Sequence, residues 1–197
     1  MTLEPERRQA AILYAELRNF TRLSEMLAPD KVLELANDFF SLCAMGVTAN
    51  AGKVLSVQND MLVGAFAAEK PRDFASRALK AAQQLQTEFG TIGGQWKADF
   101  GLPAAVSLAL HLGEAVFGMA GPIGAQQFVA FGDCVSVTER LVHRARAGEV
   151  ILSLDFMKAL GASAQTLGAE ELPPLEIHKR APIPIYGMAL EKRLDFT

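Results

Sequence analysis

The chain is poor in cysteine and in net positive charge, and each shortage removes a class of protein. Two cysteines in 197 residues, without Cys-x-x-Cys spacing, supply neither a disulfide framework nor a thiolate metal site. Cys43 and Cys134 are expected to be reduced thiols in helical stretches. Nineteen Lys plus Arg stand against 22 Asp plus Glu, a net charge of -3, and the basic residues are dispersed. Nothing in this balance attracts nucleic acid or an anionic membrane surface. A nucleic-acid-binding module also lacks the exposed aromatic-basic pattern that a strand-binding surface needs. The MTLEPERRQA start has no apolar h-region, and no uninterrupted run of 18 apolar residues follows. Direct membrane insertion is therefore not expected, and a cytoplasmic location is. Internal repeats and low-complexity tails are absent.

What is abundant is apolar residues, 50% of the chain, enough for one sizeable core in one domain. AILYAEL, from Ala11 to Leu17, reads as a strand, and RNFTRLSEML switches to helical spacing. Pro29 suits an early position of a second helix, whose Val32, Leu33, Ala36, Phe39 and Phe40 recur near a 3.6-residue period, and Gly52 ends that unit. KVLSVQNDMLVGAF forms two strands around Gln58, Asn59 and Asp60, which places Asp60 at the tip of a hairpin. A third helix runs from about Arg72 to Phe89, with Ala75, Ala78, Leu79, Ala82 and Leu85 on its buried face. A Gly93–Gly94 loop follows.

In AAVSLALHLGEAVFG a strand bends at Gly113 and continues as a short extended region. His111 in it is expected to be a satisfied structural histidine rather than a polar site. Asp133 is placed to cap a helix that packs Val135, Leu141 and Val142 inward, and EVILS reads as an edge or terminal strand. DFMKALG fits a short helix, and the prolines at 173–174 and 182–184 interrupt or bound extended segments. The order β-α-α-β-β-α-β, with accessory elements, predicts an α/β fold: a ferredoxin-like mixed or antiparallel sheet core with packed helices.

Two carboxylates carry the strongest chemical signal. Glu16 closes the first predicted strand and Asp60 lies in the later hairpin; brought together, they would hold a hard cation such as Mg²⁺ against a triphosphate. Taken alone, carboxylates this far apart are more often unrelated surface charges, and Glu16 could equally form a strand-end salt bridge.

The combined order resembles the catalytic domain of class III adenylate and guanylate cyclases over roughly residues 11–190, leaving residues 1–10 as a lead and 191–197 as a tail. AELRNFTRLSEML resembles the first metal strand and phosphate-covering loop of that family, and QNDMLVGAF its second metal hairpin. HLGEAVFGMAG and FVAFGDCVSVTERL resemble its later nucleotide-binding region. Glu16 and Asp60, 44 positions apart, fall on the two metal-carboxylate positions, with the Leu17 carbonyl as a further ligand and Mg²⁺ or Mn²⁺ as the implied ion. Arg140 matches the transition-state arginine, and Ser136 stands where the family has a ribose-positioning asparagine. Phe20 and Thr21 belong to the phosphate-covering loop, Phe20 as packing and Thr21 as a cap for the next helix. Ser56 and Val129 occupy the base-recognition positions. Lys179 lies two residues beyond the usual phosphate-binding lysine position, held here by Ile177.

The resemblance implies a nucleoside triphosphate substrate, cyclised to a 3′,5′-cyclic nucleotide with release of pyrophosphate. It also implies a homodimer or cyclase-like heterodimer, with Glu16 and Asp60 of one chain facing Ser136 and Arg140 of the other. Departures are several. Glu16 replaces Asp, Asn19 and Asn59 replace glycines, Ser136 replaces Asn, and Val129 cannot hydrogen-bond a base through its side chain. These motivate the alternative of a catalytically inactive cyclase homology domain that regulates a protein partner.

Overall fold

The AAILYA stretch is apolar at every position, rather than at alternate ones, because it is buried on both faces of a sheet. The computed structural model describes residues 4–67 and 73–189, and its longest strand pairings join β1 (Glu6–Arg18) to β4 (Ala105–Ala120) and to β3 (Met61–Ala67). Ala11, Leu13, Ala15 and Leu17 point to one layer of helices, and Ala10, Ile12 and Tyr14 to the other. Strands covered on both faces lose the in-out alternation of a half-exposed sheet.

Among the described residues the sheet has eight strands, in the order β2-β3-β1-β4-β6-β8-β7, with β5 (Gln127–Phe131) paired to β4 off this path. All pairings are antiparallel except β4 with β6 (Glu149–Ser153). One face is covered by α2 (Pro29–Ala49), α3 (Phe74–Phe100) and α5 (Leu154–Leu160); the other is covered by α4 (Asp133–Arg144). β2 (Lys53–Gln58) is one edge, and β7 (Glu170–Leu175), paired to β8 (Ile183–Ala189), is the other. Phe39, Phe89 and Trp96 knit α2 to α3 edge to face, with ring centroids 5.9 and 5.6 Å apart. This is the expected mixed α/β architecture.

Several local expectations are corrected. β1 begins at Glu6, inside the predicted lead. Gly93 and Gly94 are not a loop, because α3 continues to Phe100 and is capped by Gly101 at φ 69°. A side chain at Gly93 would meet the Ala104 carbonyl at 2.8 Å, so glycine here serves a close approach of helix to strand. β4 runs straight through Gly113; its glycine is required because a Cβ would lie 2.7 Å from that of Cys134 on α4. EVILS is β6, an interior strand between β4 and β8.

The buried stripe of α2 is rotated from the predicted one: Leu35, Phe39, Leu42, Cys43 and Val47 face inward, while Leu33 is 63% exposed. Among the described residues α2 is also the one helix long and apolar enough to cross a membrane by length and composition, yet here it packs against α3 and the sheet. The α3 face, the DFMKALG helix and the two buried free thiols agree with expectation, Arg72 lying outside the described residues. Pro173 and Pro174 sit at a register shift in edge strand β7, where a missing N–H does least harm.

Candidate functional site

The C-terminal end of β1 opens into a cleft of about 650 Å³ lined by Glu16 to Arg22, Glu25, Met26 and Asp60. The β2–β3 turn brings Asp60 there: the Leu17 N–H donates to the Asp60 carbonyl at 2.8 Å, one step past the Glu16–Met61 register pair. Asn59 supplies the turn with φ 49°, and Asn19 starts α1 (Phe20–Met26) with φ 67°. Both are left-handed positions that favour glycine and tolerate asparagine. The Asn19 amide also donates to the Pro103 carbonyl at 2.8 Å. The glycine-to-asparagine changes thus preserve the backbone path around the cleft.

Strand alternation then decides the chemistry. Glu16 and Arg18 are two apart on β1 and share the α4 face, so their side chains meet. Arg18 Nη1 donates to Glu16 Oε1 at 2.8 Å, Nε to Ser107 Oγ at 2.8 Å, and Nη2 to the carbonyls of Val142, at 3.2 Å, and Ala145. The last two belong to the final turn and cap of α4, where a cation is stabilised by the helix dipole. Ser107 Oγ donates onward to the Arg146 carbonyl at 2.7 Å. The guanidinium therefore pins β1, β4 and the end of α4 together, using Glu16 as one of its partners.

Burial raises the Glu16 pKa above its ordinary value. Arg18 and His143 act to lower it, and the nearby Asp60 charge adds to the rise. The second oxygen, Oε2, is buried without a hydrogen-bond partner among the described residues. That orphan oxygen and Asp60 are the feature that would suit a cation. Against this, Oε1 is already committed to a guanidinium. Ions of the Mg²⁺ class require near-octahedral oxygen ligation. One free oxygen on Glu16, with a fixed positive charge on the other, does not provide a ready two-ion centre. The residues as arranged do not fit the metal pair.

The remaining sequence candidates distribute as follows. Leu17 and Phe20 border the cleft, Phe20 packing on the core. Thr21 is exposed and caps nothing, since α1 begins at Phe20 without a side-chain cap. Ser56 and Val129 are half-buried on β2 and β5, which approach each other where Lys53 Nζ sits 3.3 Å from the centroid of the Phe128 ring. Ser136 and Arg140 lie one turn apart on the exposed side of α4, opposite buried Val137, Thr138 and Leu141. Neither lines the Glu16–Asp60 cleft of its own chain. Arg140 has no hydrogen-bond or ion-pair partner among the described residues.

Lys179 is exposed at φ 62° in the β7–β8 turn, while Arg180 beside it holds Asp133 at 2.7 and 3.0 Å. Asp133 accordingly does not cap α4, whose N-cap is Gly132. His111 is the structural histidine expected, its Nδ1 2.7 Å from Ser153 Oγ. The residue that sequence reasoning missed is Arg18. Its signal was available in the period of two that places it beside Glu16.

The layered fold, the carboxylate cleft at the end of β1 and the arginine-bearing α4 together define a cyclase-type domain. The model of the adenylate and guanylate cyclase catalytic domain matches residues 3–186, and the chain belongs to that family. Among curated relatives, adenylate cyclase 1 of Rhizobium meliloti is 26% identical over 137 residues, covering 68% of this chain and 20% of the relative. The adenylate cyclase of Anabaena cylindrica is 24% identical over 135 residues, covering 68% and 27%. The matched region is thus about a fifth to a quarter of those proteins' length. Among solved structures, the adenylyl cyclase CyaB from P. aeruginosa superposes with a TM-score of 0.87 at 18% identity, covering 97% of this chain and 98% of that one. The guanylyl cyclase Cya2 gives 0.82 at 24%, covering 97% and 96%. At these identities the structural likeness establishes the fold.

Proposed function

We propose that this chain is a cyclase homology domain that does not itself cyclise nucleotides and instead regulates a partner, either a second copy or another cyclase-type domain, through the family's dimer face. The observation that carries this reading is the Arg18 guanidinium on Glu16. It places a fixed cation against one of the two carboxylates that would otherwise bind metal. Two other departures weaken substrate handling in the same direction: Ser136 has too short a reach for ribose positioning, and Val129 has no polar group for a base.

The domain acts in the cytoplasm on this reading, and its contribution to a partner is the exposed Ser136–Arg140 side of α4. Purified chain incubated with Mg²⁺ or Mn²⁺ and each of the four common ribonucleoside triphosphates is expected to yield no cyclic nucleotide, with folding and oligomeric state verified. Robust cyclic product from that incubation would sink the proposal.

A second reading, weak cyclase activity, is favoured by one observation, the unpaired Arg140. Its guanidinium remains available for a developing charge on a transferred phosphoryl group supplied across a dimer. In that case product formation should be slow and should fall by about a hundredfold or more in Arg140→Ala, the loss typical of removing an electrostatic donor.

A further inference from the structure

Along part of one edge β4 has no strand partner among the described residues. Its parallel pairing with β6 ends at Leu110 and its antiparallel pairing with β5 begins at Val116, so residues 111–115 have β1 on one side and no strand on the other. A cavity of about 550 Å³ opens at this gap, with His111, Leu112, Phe131, Cys134, Asp155 and Arg180 in its lining. We propose that this cavity is a ligand site for a small molecule bearing a primary carboxamide. The amide oxygen and its syn N–H pair with the main chain of Leu112, and the same oxygen takes the free N–H of His111.

Two observations on different groups carry the assignment. The first is the main chain of Leu112, whose side chain packs into the layer of α2 and α3. The Glu114 carbonyl accepts from Cys134 Sγ at 3.4 Å and so faces away from β1. The period of two along a strand turns the Leu112 N–H and C=O the same way, into the gap. Neither group has a strand, turn or side-chain partner among the described residues. The second is His111, which uses one ring nitrogen in the structure and keeps the other. Its Nδ1 lies 2.7 Å from Ser153 Oγ, which already accepts the Phe156 N–H. Ser153 is fully buried, and its hydroxyl hydrogen has no acceptor but Nδ1 among the described residues. The hydroxyl therefore donates to Nδ1, and the neutral ring carries its hydrogen on Nε2. Burial, which holds the His111 pKa below its ordinary value, keeps the ring neutral. His111 is 6% exposed and its Nε2 has no partner, yet that atom keeps contact with solvent: the unpaired side-chain atoms sealed from it among the described residues are Glu16 Oε2 and Gln86 Oε1. A donor this buried calls for an acceptor brought from outside.

Charge on the lining selects a neutral occupant. Arg180 is paired with Asp133 and Arg7 with Glu114, which leaves Asp155, held only loosely by Lys158 Nζ at 3.9 Å. A carboxylate would meet that charge and the bare Leu112 carbonyl, while an ammonium would leave the Leu112 and His111 N–H groups unanswered. A primary carboxamide answers both donors with its oxygen and the carbonyl with one N–H. Benzamide is the probe. N-methylbenzamide, whose methyl replaces the syn N–H, and benzoate, which has no donor, are its controls.

Titration of the full ¹⁵N-labelled chain, followed by the main-chain amide resonance of Leu112 and the ring nitrogens of His111, reads the site directly. Benzamide is expected to shift both saturably, with a Kd at or below about 5 mM, a range open to a fragment of nine non-hydrogen atoms. N-methylbenzamide and benzoate should each bind about fivefold more weakly or less, the effect of one neutral hydrogen bond. His111→Phe should weaken benzamide by a similar factor while the Leu112 shift persists at higher concentration. The wild-type arms need no variant, so they decide the assignment even where His111→Phe does not fold. No saturable Leu112 shift below about 20 mM benzamide, saturation that moves other amides only, or equal binding of N-methylbenzamide or benzoate would each overturn it. A folded His111→Phe chain that bound benzamide as tightly as the parent would do the same. None of these readouts involves cyclic-nucleotide formation, so the two proposals fail separately.

Discussion

Replacing Arg18 by methionine keeps most of the apolar stem but removes a guanidinium that four groups share. Glu16, Ser107 and the Val142 and Ala145 carbonyls all lose a charged donor at once. The side chains of Arg18 and Glu16 are 24% and 13% exposed, so solvent screens the pair only in part. Removing one member of a buried pair costs about 3–5 kcal/mol, and the residual exposure argues for the lower end, about 3 kcal/mol at pH 8.

The cost should depend on pH in a defined direction. Burial raises the folded Glu16 pKa above its ordinary value of 4.5, and Arg18 opposes that rise. Without Arg18 the folded pKa moves higher still. A carboxyl with a raised folded pKa binds more protons folded than unfolded, so its effect on stability worsens as pH climbs through the interval above 4.5. Toward the acid end of that interval the variant's Glu16 is neutralised more readily, leaving mainly the loss of the Ser107 and carbonyl contacts, about 2 kcal/mol. Urea unfolding at pH 5 and pH 8 measures both losses, against a total stability of about 5–15 kcal/mol for a domain of this kind. A loss below about 0.5 kcal/mol at both pH values, or one larger at pH 5 than at pH 8, would refute the reasoning about this pair.

Two further outcomes follow from groups away from the cleft. Gly94→Ala should stabilise the chain by about 0.5–1 kcal/mol, since helix propensity improves and nothing obstructs the new methyl. Gly93→Ala should destabilise it by about 1–3 kcal/mol through the clash with the Ala104 carbonyl; paired thermal melts decide the two signs. His111 is held below its ordinary pKa of 6.5 chiefly by burial, with Asp155 and Asp133 opposing that shift and Arg180 adding to it. The folded protein then binds fewer protons than the unfolded chain just below pH 6.5, so stability present above that pH is lost as pH falls. His111→Asn should lack this component, and a parallel decline in wild type and variant between pH 7 and 5 would show that His111 does not supply it.

The fold was legible because apolar spacing and turn residues agree over most of the chain. AILYAEL, the Asn59–Asp60 turn and the alanine-rich face of α3 each point to the element that forms. Two misreadings share a physical cause: glycine marks a close approach as readily as a break. Gly93 admits the Ala104 carbonyl and Gly113 admits Cys134, so both sit inside regular elements where local preference alone suggested a loop and a bend. The interior position of β6 depends on its pairing with β4 and β8, distant in sequence, and the five-residue EVILS does not encode it.

At the site, the sequence located the Glu16–Asp60 pair and the turn that brings Asp60 to the cleft. It did not disclose what Glu16 touches. Of the two roles open to Glu16, metal ligand or strand-end salt bridge, the structure shows the second, with Arg18 as the partner. Alternation along β1 makes that contact visible, but only once the end of β1 is known to lie under α4. Asp133 shows the same limit: local spacing suits it to cap α4, but the cap position is Gly132, and Asp133 instead pairs with Arg180, distant in sequence.

The central claim, that a resident guanidinium holds Glu16 and keeps this carboxylate pair from forming a metal centre, is tested most directly by titrating Mn²⁺ into the purified chain and following the free-ion electron paramagnetic resonance signal. The account predicts no saturable binding below about 1 mM for the wild type, and binding in Glu16→Asp, whose shorter side chain withdraws from Arg18 while keeping its charge beside Asp60. Tight Mn²⁺ binding by the wild type, unchanged by that substitution, would contradict it.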